Sequence, residues 1–493
     1  MDYQQLLLAL LPDLLVVVAL FAALGVDYSH MRGSRLAKRY QMACRISAAA
    51  LIAGLAVLLV QLTQAWSFTA LAEMTDGQLV LNRGTLTLKA LLYGMGLGVL
   101  PLAKRHPVTP QASEYFALLL LATMGMGFVV TSRNLLGAFV ALELVSLSLY
   151  AMTVLNQAKR ASAEAALKYL AFGAVASGFL LFGLSYLYGT TGQLNLNRMT
   201  DLESSTLLVL AYLLIFVGLG FKLAVAPFHL WAPDVYQYAP TPVAGWVASG
   251  SKIAAAALLV ALLQPVFDAP KLKDALIPAL AALAVASMVV GNLGALRQAN
   301  LKRLLAYSAI ANAGYLLVGV VAFTAVGNTA VIFYILVYSL ASLGAFGVIS
   351  VLADTLGREA EISDFNGCWK TMPGLAVAFL VFVLSLAGIP PLAGFFGKFY
   401  LFFAAIGAQP EAATWRDGFY WLVAFALVMS VVSLYYYLRV LKAFLVVPAD
   451  DGEAAPVAPV KTGWAAGVTL CVLAMAVLAL GLWPEPLLAL LRQ

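Results

Sequence analysis

About fourteen apolar runs of roughly twenty residues follow one another along this chain, each long enough to cross a bilayer as a helix. Nothing else in the sequence limits its fold as strongly. Hydrophobic residues make up 63% and charged residues 11% of the chain, whereas a soluble domain carries about 25% charged residues. The runs lack the ten-residue strict alternation of a membrane barrel. They specify an all-α polytopic membrane protein. The first run, Leu6 to Val26, has no basic n-region before it and no clear cleavage signal, and reads as a retained span. Cys44, Cys368 and Cys471 have no metal-ligand spacing, and no phosphate-loop, haem or iron–sulfur pattern occurs. The expectation is a chain with no catalytic residue, bound cofactor or metal of its own and no nucleic-acid partner. Any redox or ATP chemistry would lie in other chains.

The spans fall near residues 5–26, 44–65, 85–103, 113–131, 133–155, 164–188, 205–236, 240–265, 274–295, 301–323, 327–353, 373–407, 418–446 and 463–490. Basic residues concentrate in alternate loops: Arg32, Arg35, Lys38 and Arg39; Lys104 and Arg105; Lys159 and Arg160; Arg297, Lys302 and Arg303; Arg358 and Lys370; Arg439, Lys442 and Lys461. By the positive-inside rule these loops face the cytoplasm and both termini lie outside. Four units are expected: 1–110 with three N-terminal helices, 111–265 and 270–446 as five-helix repeats, and 460–493 with the last helix.

Two segments exceed a single crossing, 205–236 and 373–407. As a straight helix the second would measure about 50 Å against a hydrocarbon core of about 30 Å. Each contains proline (Pro227; Pro390 and Pro391), a lysine (Lys222; Lys398) and nearby glycines. Proline removes a backbone donor and clashes with the preceding turn. Broken helices at membrane depth persist only inside protein or beside water. Paired broken segments point to an ion site, and their odd spacing of five spans makes the two repeats inverted. The lysine precedes the proline in the first segment and follows it in the second.

Charges inside these spans are costly, on the order of 3 kcal/mol for each lysine. Glu143 lies mid-span with serines beyond it. Lys168 opens the next span beside Glu164; it is one candidate partner for Glu143, and snorkelling to the interface is its structural alternative. Lys222 is too deep to snorkel. Burial works against a charged amine and a carboxylate favours it, so an amine between those influences can gain and lose a proton. Lys252 is central in the next span among small residues, and Lys398 is the fourth deep cation. His229 follows Pro227 and can bridge two relays, or serve as a hydrogen-bonded structural group. Asp234 reads as a surface residue, Asp13 as near the outer interface, Lys302 and Arg303 as interfacial anchors, and Tyr435 to Arg439 as an aromatic belt with its anchor.

The stretches Phe221-Lys-Leu-Ala-Val-Ala-Pro-Phe-His-Leu-Trp-Ala-Pro-Asp-Val-Tyr236 and Leu386-Ala-Gly-Ile-Pro-Pro-Leu-Ala-Gly-Phe-Phe-Gly-Lys-Phe-Tyr400 resemble the broken-helix signatures of the antiporter-like subunits of respiratory complex I. Lys302-Arg-Leu-Leu-Ala-Tyr-Ser308 and Ser339-Leu-Ala-Ser-Leu-Gly-Ala-Phe-Gly347 resemble that family too. The similarity runs from about residue 5 to 490 and is nearest to the branch called subunit N in bacteria. It implies proton translocation in a bacterial inner-membrane NADH-quinone oxidoreductase, beside other antiporter-like membrane-arm subunits and lipid. FMN, Fe–S clusters and the quinone chemistry would belong to other subunits. It further implies a proton path through Glu143, with Lys168 or Lys222 as its partner, then Lys252 and His229 as the connection and Lys398 as the exit or link. The alternative of the same architecture is a subunit of a multi-chain cation/proton antiporter. A structural scaffold and a formate-linked hydrogenase arm stand further off.

Overall fold

Two interruptions in long apolar helices organise the computed structural model, which describes residues 3–63, 75, 77–105, 107–155, 160–200, 202–353, 360–408, 413–446 and 462–491. Lys159, Arg358 and Lys461, three of the loop cations used for orientation, lie outside the described residues. The first helices are α1 (Tyr3–His30), α2 (Leu36–Thr63), α3 (Arg83–Arg105), α4 (Ala112–Thr131), α5 (Leu135–Val154) and α6 (Arg160–Thr191). The first long segment divides into α7 (Thr206–Leu223) and the short α8 (Ala232–Tyr238). Then come α9 (Thr241–Ala248), α10 (Gly250–Leu263), α11 (Pro270–Leu296), α12 (Leu301–Val320) and α13 (Ala325–Ala353). After the single-turn α14 (Cys368–Thr371), the second long segment divides into α15 (Pro373–Ala387) and α16 (Ala393–Gly407). The chain closes with α17 (Ala413–Leu445), α18 (Trp464–Leu482) and α19 (Glu485–Leu491).

Among the described residues thirteen helical stretches are long and apolar enough to cross a membrane. The pair α15–α16 supplies a fourteenth crossing in two pieces. The sequence placed a continuous span at 240–265; the structure bends it at Ser249, between α9 and α10, one turn before Lys252.

Burial sorts the helices. The apolar window of α13 is entirely buried, and the helix packs against α9, α10, α12, α15, α16 and α18. In α1, α6, α17 and α18 large apolar side chains such as Val18, Phe21, Val175, Phe182, Val431 and Val472 face outward. An outward face of that kind suits lipid, since hydrocarbon is as apolar as these side chains.

Both breaks are made the same way. α7 ends on Ala224 in the left-handed conformation (φ 61°), with Val225 N–H donating to Gly220 O at 2.7 Å. α15 ends on Gly388 (φ 83°), with Ile389 N–H donating to Leu384 O at 3.1 Å. These are the six-to-one bonds of a left-handed helix stop. Freed backbone groups in the first break find protein partners: Ala226 N–H donates to Ser287 Oγ (2.9 Å) and Trp231 Nε1 to Phe221 O (3.0 Å). In the second, Gly394 N–H donates to Ser385 Oγ (3.2 Å). Gly394 is required there, because a Cβ would lie 1.8 Å from Ser385 O. Irregular backbone at this depth is thus internally satisfied, as a water-poor medium demands.

Candidate proton path at the two helix breaks

The last turn of α7 carries Lys222 inward. Its Nζ donates to Ser146 Oγ and, at 3.3 Å, to Tyr150 OH, both on α5. The ammonium also sits 5.4 Å from the Tyr150 ring centroid and 5.3 Å from that of Phe221, within cation–π reach. Glu143 lies one turn before Ser146, so Glu143, Ser146 and Tyr150 share a face of α5 at helical spacing. Glu143 is half-buried and its Oε1 accepts from Ser177 Oγ of α6 at 2.6 Å.

Neither candidate partner of Glu143 forms a salt bridge with it among the described residues. Lys222 reaches Ser146, one turn along α5 from the acid, and the Ser146 hydroxyl itself donates to Leu142 O at 2.6 Å. Lys168 points elsewhere: its Nζ pairs with Asp234 at 2.8 Å and with Glu164 at 2.9 Å. The reason is axial distance. Ser177 is the α6 residue opposite Glu143, and Lys168 lies nine positions earlier, about 13 Å along the helix.

Asp234 is accordingly no lone surface residue. It also accepts from Arg303 Nη1 of α12 at 2.7 Å, so one carboxylate on α8 joins α6 to α12. Burial pushes the Asp234 carboxyl up, and the hydrogen bonds from Lys168 and Arg303 outweigh it, holding the group below its ordinary range. Lys302, expected as an interfacial anchor, is buried with Nζ 3.3 Å from Ala239 O.

Lys252 and Lys398 occupy matching seats. Lys252 Nζ donates to Leu223 O at 3.0 Å, the carbonyl just before the left-handed Ala224, and contacts Ala309 O at 3.4 Å. Lys398 Nζ donates to Ala387 O at 3.0 Å, the carbonyl just before the left-handed Gly388, and to Ser430 Oγ at 3.0 Å. Each amine therefore sits at the negative end of a broken helix, where freed carbonyls and the helix dipole favour a cation. Each also lies over an aromatic ring, Tyr338 at 5.5 Å and Tyr315 at 4.7 Å. His229 lies in the first break, half-buried.

Between Lys252 and Lys398 the structure places side chains that sequence reading did not single out. Asn312 Nδ2 donates to Ser308 O (2.8 Å) and approaches Tyr437 OH (3.4 Å), while Tyr334 OH donates to Asn312 Oδ1 (2.6 Å). Ser308 and Tyr437 share a hydrogen bond of 2.5 Å. A small cavity lies against Asn312, Tyr334, Tyr338, Ser385 and Lys398. On the flank, Asn292 donates to Tyr315 OH (3.2 Å) and accepts from Tyr436 OH (3.2 Å).

The expected aromatic belt is thereby corrected: Tyr436 and Tyr437 are buried in this network and only Tyr435 faces outward. Helical periodicity turns two of three adjacent tyrosines inward. Arg439, read as a surface anchor, donates to Leu296 O at 3.0 Å and to Gln298 O, covering the carbonyl end of α11. A neutral amide or hydroxyl in an apolar helix carries little sequence signal. A second missed group did carry one: Lys89 is a lysine inside the third span, and it pairs with Asp13 at 2.5 Å, both buried. Asp13 is therefore an interior residue, not an interfacial one.

Comparison with known proteins agrees with this geometry. The family described as NADH:quinone oxidoreductase/Mrp antiporter, transmembrane, matches residues 132–433. NADH-quinone oxidoreductase subunit N 2 of Acidobacterium capsulatum is 43% identical, covering 100% of this chain and 99% of that protein. Subunit N of Hirschia baltica is 41% identical over 75% of this chain and 76% of its own length. In a solved structure of Thermus thermophilus respiratory complex I, one chain superposes with a TM-score of 0.79 and 35% identity over 97% of this chain and 98% of its own. A chain of the Mrp complex from Dietzia sp. shares the fold (TM-score 0.82, 23% identity, 100% and 97% coverage). The chain belongs to the NADH:quinone oxidoreductase/Mrp antiporter family, and within it to the subunit N group of NADH-quinone oxidoreductases.

Proposed function

We propose that this chain carries protons across the membrane as the subunit N of a bacterial NADH-quinone oxidoreductase, through Glu143, Lys222, Lys252 and Lys398. The observation that carries the reading is the placement of three buried amines at two helix breaks, with an amide–hydroxyl bridge between the last two. Ser146 links the Glu143 face of α5 to Lys222. Lys252 and Lys398 each exchange a proton while their helix-end carbonyls hold the nitrogen in place. Asn312, Tyr334 and water in the adjoining cavity span the interval between them. His229 stands at the mouth of the first break, and Lys168 acts there through Asp234. A chain of such groups titrates as a coupled set.

NADH oxidation and quinone reduction, with FMN and Fe–S clusters, belong to other subunits in this proposal. Its neighbours are other antiporter-like subunits of the membrane arm. Residues 111–265 and 270–446 act as inverted halves, flanked by residues 1–110 and 460–493, with both termini outside. The test is the assembled enzyme in sealed liposomes. Lys222→Ala should abolish most NADH-driven proton uptake while assembly persists; a fully assembled variant that pumps normally would refute the path. The antiporter reading shares the fold and predicts a different company: purification with cation/proton antiporter subunits and no NADH or quinone activity.

A further inference from the structure

Outside the matched domain, the three N-terminal helices enclose a charged cluster that the path above does not use. Lys89 of α3 and Asp13 of α1 meet at 2.5 Å, with side chains 2% and 4% exposed. Tyr93 OH, one turn further along α3, donates to the other carboxylate oxygen at 2.9 Å. Gly54 of α2 admits the Tyr93 ring, since a Cβ there would lie 2.8 Å from Cε1. The Lys89 stem lies on Gly127 of α4, and its Nζ is 5.5 Å from the Phe128 ring. No other titratable group from α1, α2, α3 or α4 makes a hydrogen bond or ion pair with the cluster among the described residues.

Toward the start of α1 lie buried acceptors without a described partner. Pro12 lacks the N–H that would bond Leu8 O, and Gln61 Nε2 of α2 takes that carbonyl at 2.8 Å. Among the described residues Gln61 Oε1 is then buried with no partner, and so is Gln5 Oε1, one turn before Leu8. Orphan buried acceptors call for water donors. Leu8 and Asp13 are five residues apart, about 7.5 Å along α1, a gap that two or three waters would span. A buried ion pair is a weak source of stability relative to apolar residues of the same volume, so clamping alone does not account for it.

We propose that Asp13, Lys89 and Tyr93 form a second proton-holding site, reached from the end of the bundle where α1 begins by way of Gln5 and Gln61. One proton passes from Lys89 Nζ to Asp13 Oδ2, giving a neutral amine and a carboxylic acid. The acid then releases that proton to water beside Gln61, and uptake from water restores the ammonium–carboxylate pair. Tyr93 donates to the carboxyl group throughout. The site is independent of Lys222, so its failure and that of the main path are separately visible.

The decisive variant is Asp13→Leu with Lys89→Met in the assembled enzyme. A mere clamp tolerates apolar replacement; a proton-holding site does not. NADH oxidation should continue while the burst of proton uptake at the onset of turnover shrinks by about one proton per enzyme, the one that the pair exchanges with water. Wild-type uptake in the assembled double variant overturns the proposal. Should the double variant fail to assemble, infrared difference spectra of the wild type after pH steps in H2O and D2O decide. A deuterium-sensitive carboxyl C=O band that shifts in Tyr93→Phe and disappears in Asp13→Asn is expected; no band with that dependence overturns the proposal.

Discussion

The two helix breaks use the same backbone device and differ in what surrounds it. In both, a left-handed residue stops the helix, and an amine from another segment returns to the carbonyl just before it: Lys252 to Leu223 O, Lys398 to Ala387 O. The first break has in addition Lys222, two residues before the left-handed Ala224 and near the Glu143 face of α5. At the same offset before Gly388 the second break has Leu386. Among the described residues Lys398 Nζ bonds Ser430 and a carbonyl and lies over the Tyr315 ring, with no carboxylate in an ion pair with it. The shared seat is a place to hold a cation. On the proposed path, the extra lysine and the nearby Glu143 would make the first break the one where charge is separated and recombined.

The largest expected effect tests that asymmetry. Lys222→Ala should lower NADH-driven proton pumping by about tenfold or more, as loss of a positioned proton carrier does. Liposome pumping with a check of assembly measures it. If Lys222→Ala is silent and Lys398→Ala is not, the comparison is reversed.

The next experiment asks whether the shared seats do shared chemistry. Lys252→Arg and Lys398→Arg keep a donor for the helix-end carbonyl but cannot deprotonate in the accessible range. Both should assemble and both should pump more slowly, by up to about a hundredfold, the lower end of acid–base contributions. Full activity in either would make that seat structural.

Much of this was legible beforehand, for identifiable reasons. Length and apolarity fix a spanning helix, so the fourteen crossings and both interruptions follow from sequence. Deep lysines are costly, so Lys222, Lys252 and Lys398 stand out. Pairing was less legible. Lys168 and Glu143 face each other in sequence order, yet α6 sets Ser177 opposite the acid and Lys168 against Asp234. The Asn312–Tyr334 bridge was hidden because neutral polar side chains vanish into an apolar helix until their partners are known. Lys89 was a different kind of miss: the rule that exposes Lys222 applies equally to it.

Smaller effects probe the frame around the first break. Asp234→Asn should cost about 1 kcal/mol of stability, since both its cations are partly solvated. In the native protein the contribution depends on pH. The Asp234 carboxyl is held below its ordinary value, so its stabilisation is complete above about pH 4, the unfolded carboxyl's range, and is lost as pH falls through the lower native value. Thermal unfolding of the wild type and of Asp234→Asn should converge only in acid.

The smallest effect separates backbone from chemistry. Ala224 and Gly388 perform the same turn, but only glycine enters that conformation without a Cβ penalty of about 1 kcal/mol. Ala224→Gly should raise thermal stability by up to about 1 kcal/mol, less the entropy glycine adds to the unfolded chain, and leave pumping unchanged. Gly388→Ala should do the opposite and somewhat more, since its Cβ would stand 3.1 Å from Lys398 Cδ and crowd the amine's seat. If Gly388→Ala slows pumping while Ala224→Gly leaves it unchanged, the second break depends on how closely Lys398 approaches Ala387 O. If both alter pumping, the turn itself moves during transport, and the seats cannot be the fixed points described above.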